Sequence, residues 1–278
     1  MRQRGGDLLV GDLSCFDLAR TLDCGQAFRW EQRDGAWRGV ACGRALCLRQ
    51  TRDGGLVFRN TDRATFDAVW RRYFDLDRDY AAILAGYDDP ALRRAVDTCG
   101  GIRILRQEPW ETLASFLLSS NNNIPRIRAI IGRLCTTFGD PLGDGAYAFP
   151  TAERLAPLDE AALAPLRAGY RAAYLLDAAR RVAGGALDLN AVDALPFDEA
   201  EAALRTVAGV GPKVAQCVLL YGFGRLRAFP EDVWIRRVMR ELYPSGLPAC
   251  IRGTEGIAQQ YLFDYARRTA PKGEGYDA

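Results

Sequence analysis

The sequence predicts an α+β fold, in which a twisted antiparallel sheet at the N-terminus precedes an all-helical region. Short apolar runs separated by glycine-containing turns fill the chain up to about residue 59, whereas apolar residues recur at helical spacing after about residue 99. Strands that precede helices, rather than alternating with them, are typical of this class. We therefore expect an antiparallel sheet domain with covering helices over 1–99. A helical domain should follow over 100–278, and its C-terminal helix is able to pack back on the first domain.

Four short strands and one helix define the predicted sheet domain. Turn signals at Asp34-Gly35, Cys42-Gly43 and 53–55 separate the strands, which fits an antiparallel meander. Thr61 is expected to cap a helix whose apolar face covers the sheet. The strands are expected at 27–30, 37–40, 45–48 and 56–58, and the apolar face consists of Phe66, Val69, Trp70, Tyr73 and Phe74.

The second half of the chain predicts a series of helices. Pro109 and Pro125 each suit the first turn of a helix, where a missing N–H is tolerated. The first of these helices should bury Trp110, Leu113, Phe116 and Leu117, and the second Ile127, Ile130, Ile131 and Leu134. Further helices are expected at 152–156, 159–166, 171–183 and 254–268.

Composition excludes several classes of protein. The 278 residues carry a formal net charge of +2, which is too small to indicate nucleic-acid binding by itself. Histidine is absent, which excludes His-based triads and His-ligated zinc, and the eight cysteines contain no C-x2-C pair, which argues against zinc ribbons and iron–sulfur clusters. The sequence shows neither a signal peptide nor an apolar run long enough to span a membrane. We therefore expect a cytoplasmic protein with reduced thiols.

The stretch 199–240 predicts two helices joined by a tight hairpin and followed by a third helix. The hairpin is the sequence GVGP at 209–212, and Pro212 suits the start of the next helix. The glycines let backbone N–H groups approach an anion closely, and the helix N-terminus adds a favourable dipole. Taken alone, such a hairpin predicts non-specific binding of DNA phosphate. The alternative is a plain pair of antiparallel helices without a binding role.

Two charged residues make this stretch a candidate active site. Lysine and arginine together number 37, yet Lys213 and Lys272 are the two lysines of the chain. Arginine cannot lose its proton in a protein, whereas lysine can act as a neutral amine nucleophile. Asp232 follows Pro230 and can cap the next helix. A chance position for Lys213 and a plain helix cap at Asp232 are the alternatives.

Five separate segments of the chain occur in the order typical of a known family. The segments are GQAFRW at 25–30, SSNNNIPR at 119–126, GYRAAY at 169–174, GVGPKVA at 209–215 and PEDV at 230–233. With them the sequence resembles the helix-hairpin-helix DNA glycosylases, and within them the 8-oxoguanine DNA glycosylase/AP lyase family, over nearly the whole chain from Gly25 to Phe263. Five ordered matches are much more specific than the hairpin alone.

The resemblance implies catalytic roles for Lys213 and Asp232. The lysine amine would displace the damaged base at the anomeric carbon and form a Schiff base, after which β-elimination cuts the strand on the 3′ side. The aspartate would stabilise the positive charge that develops on the sugar and assist proton transfers. The hairpin residues Gly209, Gly211 and Val214 would contact DNA phosphate.

The resemblance also implies a pocket for a base rotated out of the duplex. The carbonyl of Gly25 would accept the N7 proton of 8-oxoguanine, which guanine lacks. Cys217 and Phe263 would sandwich the base, and Gln259 would read its Watson–Crick edge. Taken singly, these residues read as a turn glycine, a small buried side chain and ordinary helix positions.

A second set of residues is implied for the opposite strand. Asn121 would fill the gap left by the extruded base, and Tyr170 would act as a wedge beside it. Arg126 and Arg171 would hold the orphaned cytosine, whose two acceptors match guanidinium donors. Taken singly, these residues read as a polar turn and as solvated or core-rim positions.

The sequence departs from the familiar eukaryotic pattern at two positions. Trp234 stands where those members carry a phosphate-contacting histidine, and this difference resembles the bacterial branch. Ala208 replaces the usual hairpin proline. The resemblance implies no required cofactor, although the hairpin carbonyls could hold a monovalent or calcium-like cation. It implies a monomer that acts on double-stranded DNA containing oxidised guanine, associated with a bacterial nucleoid.

Two other functions remain open at this point. A related glycosylase for alkylated bases would share the fold, but it needs no lysine and should lack the asparagine triplet with its two arginines. A non-enzymatic helix-hairpin-helix DNA-binding module would explain the hairpin, but not Lys213, Asp232 and Gly25 together.

Overall fold

The computed structural model describes residues 1–11 and 13–270. Strands and helices are numbered in chain order. The strands are β1 Arg2–Arg4, β2 Asp7–Val10, β3 Trp30–Arg33, β4 Ala36–Ala41, β5 Arg44–Gln50, β6 Leu56–Phe58, β7 Pro141–Gly143 and β8 Ala146–Tyr147.

The helices follow the sheet strands along most of the chain. The α-helices are α1 Leu18–Asp23, α2 Arg63–Thr65, α3 Arg71–Tyr73, α4 Tyr80–Ala85, α5 Pro90–Cys99, α6 Pro109–Leu118, α7 Ile124–Phe138, α8 Ala152–Leu155, α9 Arg171–Ala183, α10 Leu189–Ala194, α11 Phe197–Leu204, α12 Pro212–Cys217, α13 Val233–Leu242 and α14 Glu255–Thr269. Single π-helical turns lie at Phe66–Trp70 and Val218–Gly222, and short 3-10 helices at Ala164–Leu166 and Ala249–Ile251.

The chain divides into two compact units. The sheet unit comprises Met1–Arg38, Leu46–Arg106 and the chain from Gly224 onward, and the helical unit comprises Gly39–Ala45 and Gln107–Phe223. The predicted α+β class, with an antiparallel sheet before a helical region, is confirmed. The domain bounds 1–99 and 100–278 stay a prediction.

The six-stranded sheet has the order β1-β2-β6-β5-β4-β3. In the antiparallel register, Phe58 of β6 lies opposite Leu8 of β2 on one side and opposite Leu48 of β5 on the other. Side chains directly opposite each other share a face of the sheet. All three are buried, so this row forms the floor of the core of the sheet unit.

Aromatic side chains of the helical stretch 63–74 cover this row, as predicted. The ring of Phe58 meets Phe66 at a centroid distance of 5.0 Å and Phe74 at 5.9 Å, both edge to face. Such pairs add favourable quadrupole contacts to the burial of apolar area. The helix cap, however, is Asp62, whose carboxylate accepts the Thr65 N–H, and the prediction of Thr61 was wrong by one residue.

Two predicted elements are irregular in the structure. Of the strand expected at 27–30, Trp30 alone belongs to β3, and the side chain of Gln26 supplies hydrogen bonds to the neighbouring backbone. The helix expected at 159–166 is a series of turns with a 3-10 end, because Pro165 has no N–H and cannot continue an α-helix.

The core of the helical unit forms around α6, which packs against α7, α9 and α12. The side chains predicted to be inside α6 and α7 are buried. Phe116 of α6 stacks on Tyr221 of the π-helical turn, with ring centres 5.4 Å apart and planes 14° from parallel. This contact joins α6 to the segment that follows α12.

Two helices of the C-terminal segment return to the sheet unit. Within that unit, α14 packs against α5 and α13, and the Tyr261 hydroxyl donates to the Ile102 carbonyl at 3.1 Å. The side chain of Gln260 donates to the Cys24 carbonyl at 3.0 Å. Among the residues that the structure describes, no helix is long and apolar enough to cross a membrane.

Candidate active site

Lys213 occupies the second position of α12, directly after the hairpin. A hydrogen bond from the Val210 N–H to the Val207 carbonyl (3.1 Å) closes the turn. The Lys213 side chain is half-buried, and its Nζ lies 5.2 Å from the centre of the Phe116 ring, which itself stacks on Tyr221. An ammonium group over an aromatic face is attracted to it. The aromatic pair therefore restricts where the lysine amine can lie.

The other hairpin residues differ in what the fold demands of them. Gly209 has φ +83°, and a Cβ there would lie 2.4 Å from Cδ2 of Tyr174, so the fold itself requires glycine. Gly211 has open space where a Cβ would lie. The Val214 side chain is buried, and its N–H is in the first turn of α12, where backbone donors lack a partner within the helix. A phosphate contact at Val214 would therefore use the backbone.

Cys217 is the last residue of α12, one turn after Lys213. Residues four positions apart lie on one side of a helix, with Cβ atoms about 5–6 Å apart. The Cys217 side chain is buried. The π-helical turn Val218–Gly222 follows it directly, and such turns are frequent at functional sites.

The three consecutive asparagines have three different environments. Asn122 Nδ2 donates to the Leu118 carbonyl (3.0 Å), and Asn123 caps α7 by accepting the Arg126 N–H (3.0 Å). Asn121 is exposed and has φ +45°, a conformation that asparagine tolerates better than most residues. Within the described residues, the Asn121 side chain and the exposed Arg126 guanidinium make no hydrogen bond or ion pair.

Arg171 binds the backbone of this asparagine loop. It is only 3% exposed, and its guanidinium donates to the carbonyls of Ser120 (2.7 Å), Asn121 (2.5 Å) and Ala168 (3.2 Å). These bonds occupy much of the five-donor capacity of the group. Tyr170, by contrast, is 52% exposed, and its ring lies 4.5 Å from the Arg171 guanidinium carbon. Arg171 thus fixes the loop, and Tyr170 presents a ring beside it.

In the sheet unit, Gly25 lies in a turn between α1 and β3 with φ +83°. The Cys24 carbonyl just before it accepts the Gln260 side chain, which is 1% exposed. Burial raises the pKa of the Cys24 thiol to about 12, and the negative charge of Asp264 adds to the rise. A neutral thiol and a fixed peptide group therefore precede the glycine.

Gln26 fixes the other side of the turn. This side chain is 0% exposed, and both ends of its amide are paired with backbone groups. Removing it would leave several buried groups unpaired, each at a cost of about 1–3 kcal/mol. Its partners are the carbonyls of Thr21 (2.8 Å) and Arg103 (2.8 Å) and the N–H of Leu105 (2.9 Å).

Gln259 and Phe263 lie one turn apart on α14. Gln259 is 4% exposed, and its Nε2 donates to the Pro230 carbonyl (3.0 Å), while Oε1 is buried without a hydrogen-bond partner in the described part of the chain. A buried acceptor without a partner is costly unless a ligand supplies the donor. The half-exposed Phe263 ring carries the Arg267 guanidinium at 5.7 Å.

Asp232 caps α13, as its position after Pro230 predicts. Its Oδ1 accepts the Ile235 N–H at 2.8 Å. Trp234, in the first turn of the same helix, is buried. Because its indole is buried, Trp234 does not present an exposed side chain to a phosphate as a histidine at this position would.

The predicted residues fall into two groups. Within the helical unit, Lys213 and Cys217 share α12, and Arg171 joins its own segment, which contains Tyr170, to the segment that contains Asn121. Within the sheet unit, Gly25, Asp232, Gln259 and Phe263 lie on or beside helices α1, α13 and α14. Sequence reasoning missed the supporting residues Gln26, Gln260, Tyr174 and Asp177, because their roles depend on contacts between distant segments.

Comparison with known families agrees with this geometry. Residues 9–113 match the family described as "8-oxoguanine DNA glycosylase, N-terminal domain", and residues 114–247 match "HhH-GPD superfamily base excision DNA repair protein". The second match contains both the hairpin and the asparagine loop. Together the two matches bear out the resemblance inferred from the five sequence segments.

Individual relatives match over most of the chain. A probable N-glycosylase/DNA lyase from Methanothermobacter thermautotrophicus is 30% identical over 94% of this chain and 95% of its own length. The N-glycosylase/DNA lyase of Saccharomyces cerevisiae is 32% identical over 81% and 68%. The structure of Clostridium acetobutylicum 8-oxoguanine glycosylase/lyase, in complex with dsDNA containing cytosine opposite 8-oxoG, is 36% identical over 96% and 97%, with a TM-score of 0.90. The chain therefore belongs to the 8-oxoguanine DNA glycosylase family.

Proposed function

We propose that this protein is a bifunctional base-excision repair enzyme. It removes 8-oxoguanine opposite cytosine from duplex DNA and then cuts the strand at the abasic site by β-elimination. The observation that carries the proposal is Lys213, the one lysine among residues 1–270, which directly follows the GVGP hairpin. Membership of a family whose relatives are N-glycosylase/DNA lyases supports this assignment.

In the proposed reaction the neutral amine of Lys213 attacks C1′ of the sugar. The C1′–N9 bond breaks, and the base leaves with its bonding electrons and takes up a proton. The nitrogen loses a proton, the C1′–O4′ bond breaks and O4′ takes up a proton, which gives a protonated imine between Lys213 and C1′. Removal of a 2′ proton then expels the 3′ phosphate, and hydrolysis of the imine releases Lys213. Asp232 stabilises the cationic sugar and assists the proton transfers.

The proposed base pocket reads two edges of 8-oxoguanine. The Gly25 carbonyl accepts the N7 proton, whereas guanine would set one acceptor against another. The buried Oε1 of Gln259, which lacks a partner within the described residues, accepts a donor from the Watson–Crick edge. Cys217 and Phe263 hold the two faces of the base.

The proposed contacts to the opposite strand use the exposed side chains of Asn121, Arg126 and Tyr170 and the buried guanidinium of Arg171. Asn121 fills the vacated space, Tyr170 wedges beside it, and Arg126 donates to the acceptors of the orphaned cytosine. Arg171 adds the donors that its three backbone carbonyls leave free. The backbone N–H groups of Gly209, Gly211 and Val214 bind a phosphate.

The proposed chemistry uses side chains alone and requires no cofactor, and the enzyme acts as a monomer on DNA of the bacterial nucleoid. A cation on the hairpin carbonyls stays a prediction. The carbonyls of Val207 and Gly211 each accept one backbone N–H and keep a second lone pair that a monovalent or calcium-like ion could use. Thermal melting with and without each cation would measure such binding.

A cleavage assay with one 8-oxoguanine opposite each of the four bases tests the proposal. We expect strand cleavage to be fastest opposite cytosine, and we expect borohydride to trap a covalent protein–DNA adduct. Release of alkylated bases without trapping would indicate instead the related glycosylase for alkylated bases. Binding without base release would indicate a non-enzymatic DNA-binding module.

A further inference from the structure

The carboxylate of Asp177, on α9, accepts a hydrogen bond from the residue that precedes the hairpin. The Ala208 N–H donates to Oδ2 of Asp177 at 2.9 Å, and the Arg181 guanidinium donates to the same oxygen at 2.8 Å. Asp177 is thus oriented by an ion pair one turn further along its own helix. Ala208 is the residue at which the chain enters the hairpin.

The residue one turn earlier on α9 contacts the next hairpin residue. The ring of Tyr174 occupies the space that a Cβ at Gly209 would need, since three of its ring atoms lie within 2.8 Å of that position. Tyr174 and Asp177 are three positions apart, so both project from one side of α9. This side of α9 therefore holds two consecutive residues, Ala208 by a hydrogen bond and Gly209 by packing.

Ala208 gives this arrangement a specific meaning. Where the familiar pattern has proline, the ring fixes the backbone and no N–H is present. Alanine leaves the backbone freer and adds an N–H, which would bind water if no protein group accepted it. The hydrogen bond to Asp177 satisfies that donor and removes the extra freedom at the point where the hairpin begins.

We propose that Asp177 is a positioning residue for the catalytic hairpin. By holding Ala208, it sets the direction of the turn 207–210 and therefore the start of α12, which carries Lys213. An error of about 1 Å in the position of a reacting group can cost on the order of a hundredfold in rate. The inference rests on the proposed role of Lys213 as nucleophile.

Variants of Asp177 separate positioning from folding. Asp177→Ala is expected to lower the single-turnover rate of base release about tenfold, while the concentration of duplex that gives half the maximal rate changes less than threefold. Asp177→Asn keeps an oxygen that can accept the Ala208 N–H, and it should restore most of the rate. A rate for Asp177→Ala within twofold of the wild type would overturn the inference.

A double variant tests whether the Ala208 N–H is the group that matters. In an Ala208→Pro background the donor is gone, so Asp177→Ala should lower the rate by less than twofold. A tenfold loss in that background would assign the effect of Asp177 to something other than this hydrogen bond and would overturn the inference. The measurement is again single-turnover base release, at a temperature well below the melting transition of every variant.

Asp188→Ala is the matched control in the helical unit. Asp188 caps α10 and also accepts backbone N–H groups, from Asn190 at 2.8 Å and Ala191 at 3.2 Å, and in the described part of the chain its side chain makes no hydrogen bond with the hairpin. It should lower the melting temperature and leave the rate unchanged. Absence of a borohydride adduct with the wild-type protein would refute the proposed function. An adduct that forms equally fast with Asp177→Ala would refute the positioning role alone.

Discussion

Two short segments of this protein are proposed to contact bases, and they differ in whether a backbone group or exposed side chains would make the contact. The reading turn, residues 24–26, is fixed by buried side-chain amides, since Gln26 and Gln260 are both shielded from solvent and both bind backbone groups. The asparagine loop, residues 120–123, is fixed through its backbone by Arg171. The side chains of Asn121 and of Arg126, which lies in the first turn of α7 just after the loop, make no hydrogen bond within the described residues.

The difference matches what each segment has to do. Distinguishing 8-oxoguanine from guanine depends on one proton, so the carbonyl that tests for it must not move aside to accommodate the wrong base. Filling the space of an extruded base requires side chains that become engaged when DNA arrives. A fixed Gly25 carbonyl therefore suits selection of the damaged base. The side chains of Asn121 and Arg126, which are unpaired in the part of the chain that the structure describes, suit contacts that form only when DNA binds.

The largest effect should come from a residue outside both segments. Lys213→Gln and Lys213→Arg are each expected to lower base release and strand cleavage by at least about 10³-fold, because neither glutamine nor arginine supplies an amine nucleophile. Duplex binding should be retained, because both proposed base-contacting segments are intact. Single-turnover assays and borohydride trapping measure the loss.

Lys213→Arg is the sharper of the two variants, since it keeps the positive charge over the Phe116 ring. Substantial turnover by Lys213→Arg would show that charge, and not amine chemistry, is what this position supplies. A covalent adduct trapped with Lys213→Gln would place the nucleophile elsewhere in the chain.

The reading turn can be loosened through Gln260. Gln260→Leu keeps the volume but leaves the buried Cys24 carbonyl without this donor, which should lower the free energy of unfolding by about 1–3 kcal/mol. The preference for 8-oxoguanine over guanine should fall about tenfold, because the peptide group before Gly25 is freer. Denaturation in urea and competition between the two duplexes measure these effects.

Gln3→Leu provides the control for that experiment. Gln3 also donates from its side chain to a backbone carbonyl in the sheet unit, that of Thr61 at 3.1 Å, but it is exposed and far along the sheet from the turn. It should change neither stability nor base preference appreciably. If Gln260→Leu lost stability and kept full discrimination, the rigidity of the turn would not be what selects the base.

A substitution beside the asparagine loop should change the preference for the opposite base without changing stability. Arg126→Ala removes an exposed guanidinium without partners in the described residues, so stability should change by less than about 0.5 kcal/mol. The preference for cytosine over adenine opposite the lesion should fall about tenfold or more. Arg154→Ala, another exposed arginine of the helical unit, controls for the loss of one positive charge. If the ratio of cleavage opposite cytosine to cleavage opposite adenine were the same in wild type and Arg126→Ala, Arg126 would not recognise the opposite base.

Sequence reasoning identified the family and the order of elements, because both leave local patterns. Apolar spacing gave the faces of α6 and α7, and Pro230 marked the start of the helix that Asp232 caps. The prediction of a strand at 27–30 was wrong for most of its length, because the buried side chain of Gln26 makes the hydrogen bonds that a neighbouring strand would otherwise make. Local patterns contain no information on such a replacement.

The environment of the site residues was the part that sequence could not supply. Gln259 alone resembles an exposed helix position, yet it is buried with an acceptor that has no partner in the described residues. Asp177 carries no local signal, because its partner Ala208 belongs to a distant segment. Gly209 was expected to be glycine for phosphate approach, whereas packing against Tyr174 already requires it.

Gly211 offers the smallest and most discriminating test of the contrast between fixed and free positions. Its φ of −87° and ψ of −178° suit any residue, and a Cβ there would meet nothing within 4 Å. Gly211→Ala should therefore raise the free energy of unfolding by about 0.4–1 kcal/mol, because alanine restricts the unfolded chain. If this backbone approaches a DNA phosphate closely, the same methyl group should weaken duplex binding several-fold. Unchanged binding with raised stability would place the phosphate elsewhere on the hairpin, and reduced stability would mean that the fold, as at Gly209, already requires glycine.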